Sequence, residues 1–322
     1  MNILIVGGGA IGSLFAYFLI QSGQRVTMLE SNRERVEKIT REGLTIESER
    51  GVSTVRVEIF TSPNEIGEAD FVILCVKSYD TEKAVQEVAP VLKSGTTVLT
   101  VQNGLGNVEI IARAVGMENT LGGITAHGAT DLGSGKVRHA GRGETIIGAL
   151  SEMSSKKAEE IAALLNRAGI EAAVTNDVEG ILWSKALINA AINPLTAILR
   201  LRNGELLEYP ETREIMRSAV EEAAAVAKTK GIQVKWVDPV VQTERVCQAT
   251  AMNYSSMLQD VLNHKRTEID FINGAIVREG ESLGIPVPVN KTLMLLVKAM
   301  EAVNLKKNKE RHHERISGKG RD

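Results

Sequence analysis

Residues 2–12 read NILIVGGGAIG, a short apolar run followed by a glycine-rich turn that opens the apolar segment 10–21. The run predicts a buried strand, and the segment after the turn has the length and composition of a helix. The glycines satisfy the spacing G-x-G-x-x-G at the junction of the two elements. In that context they permit a tight turn, close approach of a pyrophosphate and close packing of helix on strand. The candidate dinucleotide-binding residues of the turn are Gly7, Gly8, Gly9, Ala10, Ile11 and Gly12.

An acidic residue follows the next predicted strand. Residues 25–29 read RVTML, and Glu30 comes directly after them. A carboxylate at this point can accept hydrogen bonds from the adenosine ribose hydroxyls. It also repels a 2′-phosphate, whereas Arg33 could attract one. NADH and NADPH are therefore both candidate cofactors, and Glu30 favours NADH.

The first half of the chain alternates short apolar runs with longer helical segments. Residues 71–76 are continuously apolar, which is typical of a strand covered on both faces, as in a parallel sheet flanked by helices. This alternation predicts the α/β class, with a doubly wound, Rossmann-type sheet. From Thr120 to Leu150, glycine-rich turns separate short β-like pieces at 136–138 and 145–147. We expect those pieces to be antiparallel strands at one edge of the sheet.

After Asn176 helical patterns replace strand patterns. Helices are predicted at 178–191, 210–230, 238–250 and 266–283, with Asp177 as the N-cap of the first. The predicted domains are an N-terminal Rossmann domain (1–176), a C-terminal all-helical substrate and catalytic domain (177–305) and a charged, solvated tail (306–322).

Composition narrows the class of protein further. With 322 residues, a net charge of −2 and 43% hydrophobic residues, the chain has the composition of a globular protein without a nucleic-acid partner. The apolar stretch 182–199 is interrupted by polar residues and by Pro194, which favours a buried helix over a membrane span. Two unclustered cysteines and a short N-terminal apolar run favour a reducing, cytoplasmic location without a signal peptide or a metal site.

A polar stripe runs along the first helix of the second domain. Lys185, Asn189 and Asn193 recur every fourth residue among Ala, Leu and Ile, so they share one helix face. Asparagine is a poor helix former, so this stripe indicates a site more than a solvated face, although both interpretations remain open. Pro194 predicts a kink or helix end at Asn193, where backbone groups could meet a ligand.

Four further motifs accompany the glycine turn. They are VKSYDT at 76–81, QNGLG at 102–106, KALINAAINPLT at 185–196, and SSMLQD at 255–260 followed by TEID at 267–270. Together they resemble the ketopantoate reductase (2-dehydropantoate 2-reductase) family over nearly the whole chain. The resemblance implies hydride transfer from NAD(P)H to the ketone of 2-dehydropantoate, which gives (R)-pantoate on the way to pantothenate and coenzyme A, and a homodimer.

The resemblance also implies roles for individual residues. Reduction of a ketone builds negative charge on its oxygen, so the site needs a proton donor or a cation there. Lys185 matches the general acid of the family, and Glu268 matches a glutamate that supports catalysis and lies by the cofactor. Matches to residues that bind the substrate or shape its pocket are Asn189, Asn193, Asn253 and Ser256. Matches to residues near the cofactor are Lys77 and Asn103, and Asn103 also lies close to the reacting carbonyl.

One position departs from the family pattern. Members that use NADPH commonly carry an arginine where this chain has Ser31, so NADPH preference is in doubt unless Arg33 compensates. Two alternative functions stay open: reduction of another branched 2-oxo acid, or NAD(P) sensing without catalysis. The presence of both Lys185 and Glu268 argues against a sensor. His127 is interpreted as a structural, hydrogen-bonding histidine rather than a proton relay.

Overall fold

The computed structural model describes residues 1–316. The chain divides into two compact units, Met1–Leu182 and a second that begins at Trp183. This division lies within the helix Val178–Leu199, a few residues beyond the boundary expected near Asn176, which stays a prediction.

The first unit contains all the strands of the described residues and five of their α-helices. Its strands are β1 (Asn2–Val6), β2 (Arg25–Leu29), β3 (Leu44–Ser48), β4 (Gly51–Val55), β5 (Glu58–Phe60), β6 (Ala69–Leu74), β7 (Leu92–Thr100), β8 (Thr120–Thr125), β9 (Gly128–Gly133), β10 (Lys136–Gly141), β11 (Thr145–Ala149) and β12 (Ala172–Thr175). Its helices are α1 (Ala10–Gln21), α2 (Arg33–Glu42), α3 (Thr81–Val88), α4 (Asn107–Val115) and α5 (Glu152–Arg167).

The main sheet is doubly wound. Its strand order is β12-β11-β8-β7-β6-β1-β2-β5, and β1 pairs in parallel with both β2 and β6. From β1 the sheet is extended on one side by β2 and on the other side by β6, β7 and β8. The strand order thus reverses direction beside β1, and nucleotides bind at the carboxyl ends of the strands next to such a reversal.

Both faces of this sheet are buried. Ile3 and Ile5 point into one apolar cluster that includes Phe15 of α1, whereas Leu4 and Val6 point into another that includes Val85 of α3. Alternate side chains of one strand therefore enter different cores, which explains why the strand is apolar without interruption. The predicted α/β class with a Rossmann-type sheet is confirmed.

The prediction of strands added at one edge is only partly correct. β11 does join the main sheet, antiparallel to β8, and β12 lies beyond it. However, β9 and β10 belong to a separate four-stranded sheet together with β3 and β4, in the order β4-β3-β10-β9. Ile46 and Val137 of that sheet bury a small apolar cluster with Leu14 of α1, and this burial joins segments far apart in sequence.

The second unit is helical throughout its described residues, as predicted. Its helices are α6 (Val178–Leu199), which enters it from the first unit, α7 (Pro210–Thr229), α8 (Pro239–Ala249), α9 (Ser256–Leu262), α10 (Asn273–Leu283) and α11 (Pro288–Ile316). Asp177 caps α6 as expected, because its carboxylate accepts the Gly180 N–H at 2.8 Å. The single helix predicted at 266–283 is wrong: a 3-10 turn at Ile269–Phe271 precedes α10, since the Glu268 carbonyl accepts N–H groups from Phe271 and Ile272.

Two helices differ from the prediction in extent. The helix predicted at 178–191 continues to Leu199. The helix α11, which was not predicted, continues into the predicted charged tail as far as Ile316. Residues 317–322 of that tail lie outside the described residues. By length and composition α6 could cross a membrane. However, 78% of its most apolar 18-residue stretch is buried inside the protein, which agrees with the buried helix that the sequence predicts.

Candidate active site

The glycine turn has a geometry that other residues could not adopt. Gly7 has a φ of +99°, and a Cβ there would lie 2.8 Å from the backbone nitrogen of Val76. A Cβ on Gly12 would lie 2.0 Å from the Gly7 carbonyl oxygen, which shows how closely α1 approaches the turn. At Gly9, by contrast, a Cβ would meet nothing within 4 Å. The turn is therefore tight on its protein side and open at the residue that precedes α1.

Glu30 is held beside this turn. One carboxylate oxygen accepts the Gly8 N–H at 2.8 Å, and the other accepts the Asn32 N–H at 2.8 Å. Ser31 is exposed, and the exposed Arg33 is the first residue of α2. The carboxylate thus lies at the carboxyl end of β2, where the ribose of a bound dinucleotide is expected.

Sequence reasoning missed Arg35. Its Nη1 donates to the Gly8 carbonyl oxygen at 2.7 Å, and its Nη2 forms an ion pair with Asp131 of β9. The glycine turn is therefore held from one side by Glu30 and from the other by an arginine tied to the smaller sheet. The α2 sequence offered no signal, because Arg33 and Arg35 both belong to a strongly charged segment and only the fold brings Arg35 to Gly8.

Lys77 and Asn103 follow the carboxyl ends of β6 and β7, two parallel neighbours in the sheet. The Asn103 carbonyl accepts hydrogen bonds from Ser78 Oγ at 2.7 Å and from Asn107 Nδ2 at 3.0 Å. Gln102 Nε2 donates to the Val76 carbonyl at 2.7 Å. This network ties the two loops together. Sequence reasoning assigned no role to Ser78 or Gln102, which lie in its quoted motifs, and did not single out Asn107.

The first unit fits a nicotinamide dinucleotide. The N–H groups at the start of α1, which Ala10 and Ile11 begin, receive no side-chain cap, so they can bind a pyrophosphate. The glycine turn leaves space for it at Gly9, and Glu30 supplies acceptors for ribose hydroxyls. Within the described residues, no group of three or more His, Cys, Asp or Glu is arranged to hold a metal.

In the second unit, α6 carries the predicted polar stripe into a buried environment. Lys185 and Asn189 are half-buried, and Asn193 is only 5% exposed, so the stripe does not face open solvent. Burial lowers the pKa of Lys185 to about 8, and the negative charge of Glu268 opposes part of that lowering. Lys185 and the buried Glu268 are thus electrostatic partners, and Lys185 is a stronger acid than an exposed lysine.

The predicted helix end at Asn193 is wrong, whereas the predicted kink stays a prediction. α6 continues through Pro194 to Leu199, with Thr196 Oγ1 donating back to the Ile192 and Asn193 carbonyls. The carbonyl that proline leaves without a helical donor is that of Ala190, four residues earlier. It accepts a hydrogen bond from Asn273 Nδ2 at 2.9 Å, so it is not free to meet a ligand.

The remaining candidate substrate residues lie on loops and helix ends of this unit. Ser256 begins α9, whose N-cap Ser255 also contacts Thr196 of α6 through the two hydroxyls at 2.6 Å. Asn253 is half-buried in the preceding loop, where its carbonyl accepts the Asn203 N–H at 3.0 Å. The structure thus joins the start of α9, where Ser256 lies, to α6 through the Ser255–Thr196 hydroxyl pair, and it places Asn253 three residues before Ser256.

A glycine turn fitted to a dinucleotide and a half-buried lysine paired with a buried glutamate define the class of nicotinamide-dependent oxidoreductases. Residues 3–152 match the sequence model of the family described as Ketopantoate reductase PanE/ApbA, and residues 177–301 match that of its C-terminal domain. The chain belongs to the ketopantoate reductase family.

Named relatives agree with this assignment. The 2-dehydropantoate 2-reductase of Archaeoglobus fulgidus is 38% identical over 302 residues, which cover 94% of this chain and 98% of the relative. That of Vibrio cholerae is 35% identical over 301 residues, with 94% and 98% coverage.

Solved structures share the fold over nearly the whole chain. A PanE/ApbA family ketopantoate reductase from Ralstonia eutropha has a TM-score of 0.87 at 32% identity, covering 95% of this chain and 100% of its own. D-mandelate dehydrogenase, in a ternary structure with NADH and anilino(oxo)acetate, has a TM-score of 0.91 at 31% identity, covering 94% and 99%.

Proposed function

We propose that this chain is a 2-dehydropantoate 2-reductase that forms (R)-pantoate with NAD(P)H. The observation that carries the proposal is the pair of the half-buried Lys185 and the buried Glu268, with the Lys185 pKa lowered to about 8, in a chain that also has the dinucleotide turn. The names of relatives that align with nearly the whole chain support the same substrate.

Lys185 is the general acid in this proposal. The nicotinamide, when bound, supplies a hydride to the keto carbon. The Lys185 ammonium donates a proton to the carbonyl oxygen as negative charge develops there. With a pKa near 8 it stays mostly protonated at neutral pH and gives up its proton more readily than a lysine at about 10.4. Glu268 holds the ammonium in its protonated form.

The polar residues of the two units bind and orient the other groups. In the second unit, Asn189, Asn193, Asn253 and Ser256 are the proposed partners of the substrate carboxylate and hydroxyl. In the first unit, Lys77 and Asn103 are the proposed partners of the nucleotide, and the family resemblance also assigns Asn103 to the reacting carbonyl. This assignment follows the family motifs, the positions of Lys77 and Asn103 after strand ends and the burial of the α6 stripe.

NADH is the proposed preferred cofactor. The Glu30 carboxylate, held at the glycine turn by the Gly8 N–H, would repel a 2′-phosphate, while Ser31 and Arg33 are exposed beside it.

The proposal also includes a homodimer in the cytoplasm, as the family resemblance implies. Light scattering should give a mass about twice the 34.8 kDa of one chain, and a mass of one chain would remove this part of the proposal.

The deciding experiment follows the loss of NADH and of NADPH absorbance in parallel, with 2-dehydropantoate as oxidant. Turnover establishes the reaction, and the ratio of kcat/KM values for the two cofactors tests the preference for NADH. Absence of turnover with both cofactors would contradict the proposed substrate.

A second candidate is the reduction of a different 2-oxo acid. The TM-score of 0.91 with D-mandelate dehydrogenase favours it, since that enzyme shares the fold and acts on a 2-hydroxy acid with an aromatic group. Profiling 2-dehydropantoate against its analogue without the hydroxyl and against phenylglyoxylate separates the two. A site that hydrogen-bonds the hydroxyl rejects the analogue strongly, whereas an apolar pocket does not.

A further inference from the structure

Pro194 creates a hydrogen-bonding defect in the middle of α6. Proline has no N–H, so the carbonyl of Ala190, four residues earlier, lacks its helical partner. Ala190 is fully buried, so bulk solvent does not reach its carbonyl. A buried carbonyl without a partner destabilises the fold, so a donor is needed from elsewhere.

Asn273 supplies that donor from α10. Its Nδ2 donates to the Ala190 carbonyl at 2.9 Å and, with its second hydrogen, to Asn290 Oδ1 at 3.0 Å. Asn273 is fully buried, and its Oδ1 has no hydrogen-bond partner. The protein thus tolerates one unsatisfied acceptor on Asn273 in order to direct both amide hydrogens at these two oxygens.

Asn290 determines the orientation of Asn273. The Nδ2 of Asn290 donates to the Ala219 carbonyl at 2.9 Å and to Glu222 Oε2 at 2.8 Å, which leaves its Oδ1 as the acceptor that faces Asn273. Glu222 also accepts the backbone N–H groups of Val289 and Asn290. The side chains of Asn273 and Asn290 therefore join α6, α7, α10 and α11 in one hydrogen-bond network.

The Ala190 carbonyl lies in the part of α6 that contains the polar stripe of Lys185, Asn189 and Asn193. Ala190 directly follows Asn189, is five residues after Lys185 and three before Asn193. We propose that Asn273, oriented by Asn290, is a positioning residue that replaces the hydrogen bond lost at Pro194 and so keeps Asn193 in register with Lys185. The expected effect on substrate binding rests on the proposed function. The replacement of the helical donor by Asn273 does not depend on that function.

The test is a double-mutant cycle of Asn273→Ala and Pro194→Ala. The Pro194→Ala substitution restores a backbone N–H for the Ala190 carbonyl, so it should make Asn273 dispensable to α6. In the chain that keeps Pro194, Asn273→Ala should raise KM for the keto acid about tenfold, because an unpaired buried carbonyl lets the helix bend at Asn193. In the Pro194→Ala background the rise should be about twofold or less, as expected when the acceptor is already paired.

Further readouts separate positioning from general loss of stability. The NADH dissociation constant and the pH of the alkaline limb of kcat should not change, since neither involves Asn193. Val226→Ala, which truncates a fully buried side chain of α7, should lower the unfolding midpoint without raising KM. If Asn273→Ala does not fold, Asn273→Ser takes its place in both backgrounds.

Equal effects of the Asn273 substitution on KM in both backgrounds would overturn the proposal. If no 2-oxo acid is turned over, the proposed function fails instead, and the same cycle is read from unfolding midpoints. There a smaller loss in the Pro194→Ala background supports the repair of α6, and equal losses refute it.

Discussion

At the residue scale, the chemistry depends on two opposing effects on Lys185. Burial favours its neutral form and lowers its pKa to about 8, while the charge of Glu268 favours the ammonium and raises it. The balance leaves a group that is protonated at neutral pH and still acidic enough to donate its proton.

Glu268→Gln should move the alkaline limb of the kcat profile below about pH 8, because the charge that raises the Lys185 pKa is removed while burial remains. The measurement is kcat against pH with saturating NADH and keto acid. Asp270→Asn is the matched control: Asp270 pairs with Arg266 and Lys298, so the limb should stay in place. An unchanged or rising limb in Glu268→Gln would contradict the assigned electrostatics.

Glu30→Gln should weaken the discrimination against NADPH. The amide keeps an acceptor for the Gly8 N–H but loses the charge that repels a 2′-phosphate, so the ratio of NADPH to NADH dissociation constants should fall roughly tenfold. Fluorescence titration of both nucleotides measures the ratio. Glu34→Gln, which removes an exposed carboxylate in the first turn of α2, should leave it unchanged. A similar change in both variants would point to bulk charge rather than to Glu30.

At the element scale, a histidine pair beside the smaller sheet is partly buried, and this burial favours the neutral form of both rings. His127, between β8 and β9, has its Nδ1 3.0 Å from Nε2 of His139 on β10. Burial, the neighbouring His139 and Arg142 lower the pKa of His127 to about 4. The His127–His139 contact fits the structural role that the sequence predicted for His127.

Acid should therefore destabilise the protein through His127. Its folded pKa of about 4 lies below its ordinary value of 6.5, so the unfolded chain binds a proton more readily as pH falls from 6.5 towards 4. The stabilisation is present above pH 6.5 and is lost across that window. His127→Gln should show a smaller fall in unfolding midpoint between pH 7 and pH 5 than the unaltered chain. The exposed His264 offers a control, since His264→Asn should reproduce the original fall.

At the scale of the whole molecule, the residues proposed to bind the nucleotide and those proposed to donate the proton belong to different units. The glycine turn and Glu30 lie in the unit Met1–Leu182, and Lys185 and Glu268 lie in the unit that begins at Trp183. The two functions should therefore be separable by mutation.

Lys185→Ala should lower kcat by a factor of about 10² to 10⁴, the usual contribution of a positioned general acid, while the NADH dissociation constant changes little. Single-turnover kinetics and nucleotide titration measure the two effects. Lys228→Ala, an exposed lysine at the end of α7, should change neither. Near-normal turnover in Lys185→Ala would refute its role as the acid.

Much of the fold could be predicted because it depends on local patterns. The strands β1 and β2, the helix α1 and the Asp177 cap follow from apolar periodicity and turn residues within a few positions of one another. The Lys185 stripe was visible for the same reason. The smaller sheet was not, because β3 and β10 pair across a long stretch of chain and neither is strongly apolar.

The sequence by itself determined the doubly wound class, the glycine turn and the spacing of Lys185, Asn189 and Asn193, since each is a property of neighbouring residues. Only the tertiary structure decided that Arg35 donates to the Gly8 carbonyl and that Asn273 donates to the Ala190 carbonyl, which Pro194 leaves without a helical partner. The physical reason is that a buried polar group must find a partner somewhere, and which distant residue supplies it depends on how the elements pack.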